Sequence, residues 1–227
     1  MSGKDALTDK VITDKRIYEI YPQIRLGVLR FRANIKKSDK QFWTYMDNEI
    51  LPGIRNSIEG KEWNEIPGVR GIRAAYKAFG RNPGRYRVSS EALLRRVRRG
   101  DELYHINSVV DVNNLILVQS GLSVGSYNLD KINGTIVLRK AEQGESYTGI
   151  GKDFLDLENM LVLSDDNGIF GCSMSDSTRA MVTEQTKYVL VAIYCFEDEI
   201  ELQKLVTDAE QVFARFSECK NFETAII

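Results

Sequence analysis

The apolar run YVLVAIYCF, residues 188–196, limits more than any other stretch how this chain can fold. It is rich in β-branched and aromatic side chains and has no helical period, which predicts a buried central strand. The run is far shorter than the roughly 20 apolar residues that cross a bilayer, so we predict no transmembrane helix. The first 20 residues mix charged side chains with single apolar ones and lack a signal-type apolar segment. We therefore expect a cytoplasmic protein.

Shorter apolar runs between turn residues predict further strands. Apolar side chains alternate in residues 25–34 closely enough for a strand with a slip or bulge. The triplet Asp166, Asn167 and Gly168 has the chemistry of a hairpin turn. In the second half of the chain we expect strands at residues 135–139, 160–163, 169–172 and 188–196.

Helical spacing of apolar residues and capping residues predict the helices. The first begins at Ser38 as N-cap and is interrupted at Pro52, and a later one has Ser89 as N-cap with Glu91 in its first turn. Gly80 closes a helix that carries basic residues on its outer face. The predicted helices cover residues 38–52, 69–80, 89–100, 107–121 and 202–216.

These elements predict an α+β fold in a single domain, with a central mixed or antiparallel sheet packed by helices. We expect residues 1–65 to form an N-terminal strand and helical extension, and residues 66–227 to form the main domain. Neither repeats nor low-complexity linkers interrupt the chain. The sequence does not indicate an oligomeric state.

The numbers of cysteines and histidines restrict the chemistry. Three widely spaced cysteines without a CxxC pair encode neither a disulfide framework nor a zinc site. A Ser-His-Asp triad or a Cys-His pair would have to use His105, the single histidine. We expect chemistry that needs no histidine, no metal and no cofactor.

Charge is unevenly distributed although the net charge is −1. Residues 66–100 contain ten basic residues and one acid, whereas residues 197–223 contain eight acids and three bases. The basic residues are mostly arginines, whose guanidinium groups match the oxygens of phosphate or carboxylate. A solvated helix face is the alternative explanation for such a run.

The helix predicted at residues 107–121 carries polar side chains among apolar ones. Its valine, leucine and isoleucine residues indicate burial on most sides, yet it includes Asp111, Asn113 and Asn114. Buried polar groups need hydrogen-bond partners. Those partners belong either to a structural network within the protein or to a ligand.

Four segments in order carry a resemblance to a known family: RYRVSSEALLRRVRRG, INSVVDVNNLILVQSGLSVGSYNLDKI, GTIVLRKAEQGESY and MSDSTRAMVTEQTKYVL. They resemble the editing and tRNA-binding module of the phenylalanyl-tRNA synthetase beta subunit, the B-three/B-four module, in a free-standing form. The resemblance covers about residues 69–196 and implies a domain that hydrolyses tyrosine wrongly attached to tRNA. Because nothing here resembles the aminoacylation module, it implies a hydrolase or binding module and not a ligase.

Carrying the family's residues across gives both matches and departures. The threonine and asparagine of its V-D-V-T-N motif, at the editing pocket, fall on Asn113 and Asn114. Its pocket histidine is replaced by Gly125, and its glutamate falls near Val191 or Ala192 and is absent. The departures leave the amino acid specificity open.

The resemblance implies a site whose catalytic residues are Asn113, Asn114, Gly125 and Asp176, with Gly121 and Gly125 flanking a loop that approaches the ligand. The implied substrate-binding residues are Arg87, Ser89, Ser90, Glu91, Arg95, Arg96, Tyr127, Ser175 and Thr178. The arginines and serines would face the phosphates and ribose of a tRNA acceptor end.

We therefore expect a trans-acting aminoacyl-tRNA deacylase of translation quality control, whose partner is the acceptor end of a mischarged tRNA. Two alternatives remain. One is a non-catalytic tRNA- or RNA-binding module whose pocket has decayed. The other is a pocket for a free amino acid or modified nucleoside, which would not need the basic block. The sequence indicates neither the amino acid removed nor the tRNA preferred.

Overall fold

The structure is a computed structural model that describes residues 7–85, 88–151 and 154–227. Two four-stranded sheets and eight α-helices form its framework. The strands are β1 (Val11–Thr13), β2 (Arg25–Arg32), β3 (Ser123–Asn128), β4 (Ile136–Lys140), β5 (Ser146–Tyr147), β6 (Leu155–Asp156), β7 (Leu161–Asp165), β8 (Gly168–Cys172), β9 (Tyr188–Cys195) and β10 (Lys220–Ile226). The α+β class predicted from the sequence is confirmed.

The helices are α1 (Leu7–Lys10), α2 (Arg16–Ile20), α3 (Lys40–Tyr45), α4 (Leu51–Ile58), α5 (Val69–Ala78), α6 (Ser89–Arg99), α7 (Ser108–Ser120) and α8 (Leu202–Phe216). A π-helical turn, Met46–Ile50, joins α3 to α4, and 3-10 turns lie at Trp63–Glu65, Leu129–Lys131 and Thr178–Ala180. Among the described residues, none of the helices has the length and apolar character needed to span a bilayer.

The first sheet has the strand order β10-β2-β9-β3 and is antiparallel throughout. Strand β9, predicted as a buried central strand, lies between β2 and β3. The pairing of β2 with β9 runs without interruption, so the slip expected in residues 25–34 is wrong for that pair. The irregularity lies instead between Lys220 and Glu223 of β10.

The second sheet has the order β1-β4-β7-β8, with β1 parallel to β4. The β7–β8 hairpin turns at Asp166 and Asn167, because Asp165 pairs with Gly168, as the turn triplet predicts. The strands predicted in the second half of the chain are all present. They divide between two sheets, however, since β4, β7 and β8 lie in the second sheet and β9 lies in the first.

Strand β9 is buried on both faces of the first sheet, which explains its continuous apolar run. Its even-numbered residues from 190 to 196 lie in a core with the second sheet and α5, and its odd-numbered residues lie in a core with α7 and α8. Strand β2 alternates in the same way, with Val28 facing one core and Leu29 the other. The fold is therefore layered as helices, first sheet and second sheet.

Local capping residues set the helix boundaries. Three of the boundaries predicted from the sequence are corrected by the structure. Asp39, not Ser38, caps α3 by accepting a hydrogen bond from the Phe42 amide. Helix α6 is capped by Val88, so Ser89 is its first residue and not its N-cap. The helical path continues through Pro52, which lies at the start of α4 after the π-helical turn. At α7 the prediction is confirmed, with Asn107 as N-cap and Gly121 as the left-handed C-cap.

Candidate functional site

A polar cluster around Asp176 lies between the two sheets. The Tyr127 hydroxyl of β3 donates to Asp176 Oδ1 at 2.7 Å and lies 3.2 Å from the Tyr194 hydroxyl of β9. Burial raises the pKa of Asp176 to about 7, opposed by the hydrogen bond from Tyr127. Asp176 as a whole residue is half-buried, while its carboxyl group is enclosed with the tyrosine hydroxyls. A carboxyl that titrates near neutral pH can accept a proton from a bound water.

Two further groups surround this carboxyl. The Tyr147 hydroxyl lies 2.6 Å from the Ser175 carbonyl oxygen and 3.1 Å from Cys172 Sγ. Burial raises the pKa values of Tyr127, Tyr194 and Cys172, which keeps all three protonated at neutral pH. The tyrosines are therefore hydrogen-bond donors, and Cys172 is not an activated nucleophile.

The segment before β6 folds against Asp176 and its neighbours. The Ile150 amide donates to the Asp176 carbonyl oxygen at 2.8 Å, and the Thr178 amide donates to the Thr148 carbonyl oxygen at 3.1 Å. The Ser175 hydroxyl donates to the Ile150 carbonyl oxygen at 3.3 Å. The structure thus brings the predicted residues Ser175, Asp176 and Thr178 together. Ile150, whose amide contacts Asp176, has an exposed side chain.

Gly125 lies within strand β3, so the expectation of a loop there is wrong. The strand places Gly125 and Tyr127 on the same face. A Cβ added at Gly125 would lie 2.2 Å from the Tyr127 hydroxyl oxygen, and one added at Gly171 of β8 would lie 2.3 Å from it. The two glycines therefore make room for the fully buried tyrosine ring, and the space next to Gly125 is already filled.

The two asparagines of α7 have different surroundings. Asn113 is buried, donates from Nδ2 to the Val124 carbonyl oxygen at 3.0 Å, and accepts from the Ser126 hydroxyl at 2.7 Å. Because side chains alternate along β3, Ser126 and Asn113 lie on the face opposite to Tyr127 and Asp176. Asn114 is half-buried, and its side chain has no hydrogen-bond partner in the described part of the chain. The network around Asn113 corresponds to the structural alternative.

The start of α6 packs on the ends of β3 and β8. The Ser89 hydroxyl lies 3.0 Å from Ser123 Oγ and 3.1 Å from the Ser173 carbonyl oxygen. Ser90 is fully buried, and its hydroxyl has no partner among the described residues. Ser90 is therefore enclosed by the fold, whereas Ser89 is half-buried at the start of α6.

Several of the predicted phosphate-binding arginines are engaged within the protein. The buried Glu91 accepts from Arg73 at 2.7 Å and from Arg95 at 2.7 and 3.0 Å. Arg96 donates to the Glu102 carbonyl oxygen at 2.6 Å, which leaves its charge without a carboxylate among the described residues. Arg87 lies outside the described residues. Glu91 is therefore an anchor for arginines and not a group exposed to a substrate.

His105 does not belong to the Asp176 cluster. Of the cysteines, Cys172 contacts the cluster through Tyr147. His105 is exposed and stacks on Trp43 with ring centroids 3.6 Å apart. Within the residues that the structure describes, no three histidine, cysteine or acidic side chains are placed to hold a metal ion.

Comparison with known protein families gives a match over most of the chain. Residues 71–227, more than half of the chain, match the protein family described as the B3/4 domain. The chain belongs to the B3/4 domain family. The family resemblance proposed from the four sequence segments is therefore confirmed.

The relatives of this B3/4 domain include synthetase subunits. The phenylalanine-tRNA ligase beta subunit of Bifidobacterium longum is 28% identical in an alignment 172 residues long, which covers 70% of this chain and 20% of that protein. The corresponding subunit of Cutibacterium acnes is 35% identical in an alignment 88 residues long, which covers 37% of this chain and 10% of that protein. The chain thus spans a fifth or less of these two relatives.

A structural comparison gives a further similarity. An N-terminal fragment of the phenylalanyl-tRNA synthetase beta subunit from Pyrococcus horikoshii covers 100% of this chain, and the match takes up 52% of that fragment. The TM-score is 0.46 and the sequence identity is 13%.

Two positions of this B3/4 domain are cross-strand neighbours. Gly125, where the resemblance places the family's histidine, pairs directly with Ala192 of β9. Ala192 is one of the two positions where the resemblance places the family's glutamate. The pairing places side by side two residues without a titratable side chain.

Sequence reasoning did not find Tyr147, Cys172 or Tyr194 as members of the cluster. Tyr194 is hidden in the apolar run of β9, where its hydroxyl is the signal for a polar partner on that face. Tyr147 and Cys172 belong to segments that no sequence pattern connects. Alternation along β9 puts Tyr194 on the same face as Ala192. It gives no information on the distance from Tyr194 to Asp176.

Proposed function

We propose that this B3/4 domain binds the acceptor end of tRNA and hydrolyses the ester of a wrongly attached amino acid. The observation that carries the proposal is the Asp176 carboxyl, held by Tyr127 at 2.7 Å and with its pKa raised by burial to about 7. Membership of the family and the names of the relatives support tRNA as the substrate class.

The reaction needs little from the protein because an aminoacyl ester is already activated. Asp176 accepts a proton from water while the water oxygen forms a bond to the ester carbonyl carbon. The bond from that carbon to the ribose oxygen then breaks, and the proton held by Asp176 passes to the departing ribose oxygen. Tyr127 orients the carboxyl throughout, because its own raised pKa keeps it a donor.

A second candidate is tRNA binding without hydrolysis. The observation in its favour is the pair Gly125 and Ala192, which puts two apolar residues at positions where the family resemblance expects titratable groups. The hydrogen bonds of the Asn113 side chain with Val124 and Ser126 also fit a structural role for this asparagine. Under this candidate the Asp176 cluster contributes only to packing.

The experiment is deacylation of a panel of mischarged tRNAs, with each amino acid tested separately. For the amino acid that is removed, we expect Asp176→Asn to lower kcat/KM by about 100-fold or more, the usual contribution of a general base. The matched control is Asp208→Asn on α8, whose carboxylate is exposed and paired with Lys204. It should keep wild-type activity.

The outcomes separate the two candidates. Hydrolysis that depends on Asp176 supports the first candidate. Binding of tRNA with no hydrolysis of any ester in the panel overturns the first and supports the second. If Asp176→Asn retains full activity, the enzyme proposal stands but the role assigned to Asp176 is wrong.

The pH profile provides a further test of Asp176 as the base. The carboxyl must be ionised to accept a proton, so kcat/KM should rise with pH and level off above about 7. The measurement is the initial rate of deacylation between about pH 5 and pH 9, corrected for spontaneous hydrolysis. A profile that is flat after this correction argues against a titrating carboxyl at the site.

A further inference from the structure

Tyr194 puts a hydroxyl on a face of β9 whose neighbouring residues are apolar. Leu190, Ala192 and Phe196 lie in the same core as Tyr194, and the tyrosine is only 1% exposed. A phenylalanine at this position would fill the same space without burying a polar group, and burying a hydroxyl costs free energy unless it is hydrogen-bonded. The hydroxyl of Tyr194 therefore has a role other than packing.

The direction of the hydrogen bonds around Tyr194 follows from counting protons. In the described part of the chain its hydroxyl has a single partner, the Tyr127 hydroxyl at 3.2 Å. Tyr127 has one hydroxyl proton, which it donates to Asp176 Oδ1 at 2.7 Å. The bond between the two tyrosines therefore uses the proton of Tyr194. We name Tyr194, Tyr127 and the Asp176 carboxyl the tyrosine relay.

The groups around the relay supply no positive charge. Five buried titratable groups face Asp176 or Tyr194, and burial raises the pKa of each, so that all five are neutral at neutral pH. They are Tyr127 on β3, Tyr194 on β9, Cys172 on β8, Tyr147 on β5 and Tyr76 on α5. Among the described residues the Asp176 carboxyl has no ion-pair partner. Its ionised form is therefore stabilised by hydrogen bonds alone.

The two carboxyl oxygens of Asp176 differ in their contacts. Oδ1 accepts from the Tyr127 hydroxyl and, at 3.4 Å, from the Cys172 amide. Oδ2 accepts no hydrogen bond from the residues that the structure describes. The relay thus holds one oxygen and leaves the other to take up a proton.

A second donor behind Tyr127 acts on the carboxyl without touching it. A hydrogen bond to an ionised group is about twice as strong as one between neutral groups, and successive bonds in a chain polarise and strengthen one another. The bond from Tyr194 to Tyr127 is therefore most favourable when Tyr127 donates to an ionised carboxyl. Removal of the Tyr194 hydroxyl should make Asp176 harder to ionise.

We propose that Tyr194 is a positioning residue of the Asp176 cluster, whose hydroxyl directs the Tyr127 proton to the carboxyl and so favours the ionised form of Asp176. The ionised form is the one that accepts a proton from water. The role of Tyr194 in catalysis rests on the function proposed above, whereas its effect on the carboxyl does not require hydrolysis.

The test is a titration of Asp176 in the whole chain, followed by NMR of protein labelled with carbon-13 at the aspartate carboxyl groups. The Asp176 signal is assigned as the one that Asp176→Asn removes. We expect Tyr194→Phe, which keeps the ring, to raise the pH midpoint of Asp176 by about half a unit. Tyr127→Phe removes the bond to Oδ1 itself and should raise the midpoint further. Thermal melts establish that each variant is folded.

A double variant shows whether Tyr194 acts through Tyr127. Tyr127→Phe combined with Tyr194→Phe should have the midpoint of Tyr127→Phe alone, because the relay is already broken at Tyr127. Tyr76→Phe is the matched control, since Tyr76 is a fully buried tyrosine of the same core whose hydroxyl bonds to Ser173 Oγ at 2.7 Å. It should leave the midpoint of Asp176 unchanged.

Two results would overturn the proposal. One is a midpoint in Tyr194→Phe that equals or lies below that of the wild type. The other is a double variant in which the two shifts add, which would mean that Tyr194 acts on the carboxyl without Tyr127. Where deacylation is measurable, the midpoint of its pH profile should move with that of the carboxyl, and an unmoved profile overturns the catalytic role of Tyr194. A shifted carboxyl in a protein that hydrolyses no ester of the panel supports the relay and overturns only the function proposed above.

Discussion

At the scale of single residues, Tyr127 explains two glycines. Its ring is fully buried, and its hydroxyl takes up the space beside Gly125 and Gly171. The hydroxyl is also fixed by Asp176 and Tyr194, so the ring cannot rotate away without breaking hydrogen bonds. The absence of a side chain at Gly125 is therefore a packing requirement of this fold.

Gly125→Ala tests this requirement. We expect a loss of about 1–3 kcal/mol in the free energy of unfolding, because the new methyl group must displace the ring. The measurement is urea unfolding followed by circular dichroism. Gly53→Ala is the control, since a Cβ at Gly53 in α4 would meet nothing within 4 Å and should be neutral or stabilising. Equal stability of both variants would contradict the assigned role of Tyr127.

Asp176 predicts a pH dependence of stability. Burial raises its pKa in the folded state from 3.8 to about 7, so the folded protein holds the proton more tightly than the unfolded chain between those values. The contribution of Asp176 to stability is full below about pH 4 and is lost as pH rises through about 7. Asp176→Asn should therefore show a smaller fall in Tm between pH 5 and 8 than the wild type, as measured by thermal melts.

Residue-level prediction from sequence succeeded where a local pattern exists. The hairpin turn at Asp166 and Asn167 was predicted from its local chemistry and is confirmed. The assignment of Ser175, Asp176 and Thr178 to a site rests on the family resemblance and stays a prediction. The partners of Asp176 lie 49 residues away at Tyr127, so no local pattern connects them. The pairing of Arg95 with Glu91 was also missed, although the two are four residues apart on a predicted helix and this spacing was a usable signal.

At the scale of elements, helices were easier to predict than strands. Capping is local, and Asn107 and Gly121 delimit α7 as expected. Strand β3 was missed because SVGSYN contains few apolar residues, and its burial depends on Tyr127 covering the glycines. With Val124 and Tyr127 as its only apolar side chains apart from glycine, β3 has no alternation that a sequence pattern can show.

The cap of α7 provides a test at this scale. The Asn107 side chain accepts hydrogen bonds from the amides of Val109 and Val110 and is buried. We expect Asn107→Ala to lower the free energy of unfolding by about 1–2 kcal/mol. Gln119→Ala, at an exposed position of the same helix, should change it by less than about 0.5 kcal/mol. A small effect of Asn107→Ala would mean that water replaces the cap.

At the scale of the whole molecule, the division of strands between two sheets could not be predicted. Pairing partners such as β2 and β9 lie more than a hundred residues apart, so sequence identifies the strands without their order. Residues 1–65 also supply an inner strand of the first sheet, so they are more than a segment added to the main domain. Strand β2 lies between β10 and β9, and its Leu26, Val28 and Leu29 are fully buried.

The boundary predicted at residue 65 can be tested by separating the two parts. Residues 66–227 include all of the region that matches the B3/4 domain but lack β2, so β9 would lose a neighbour and both cores would be exposed. We expect this fragment to show no cooperative thermal transition by circular dichroism, and to regain one when residues 1–65 are supplied as a separate chain. A sharp transition in the fragment alone would show that β10 and β9 can close the gap without β2, and that residues 1–65 are an extension in the energetic sense as well.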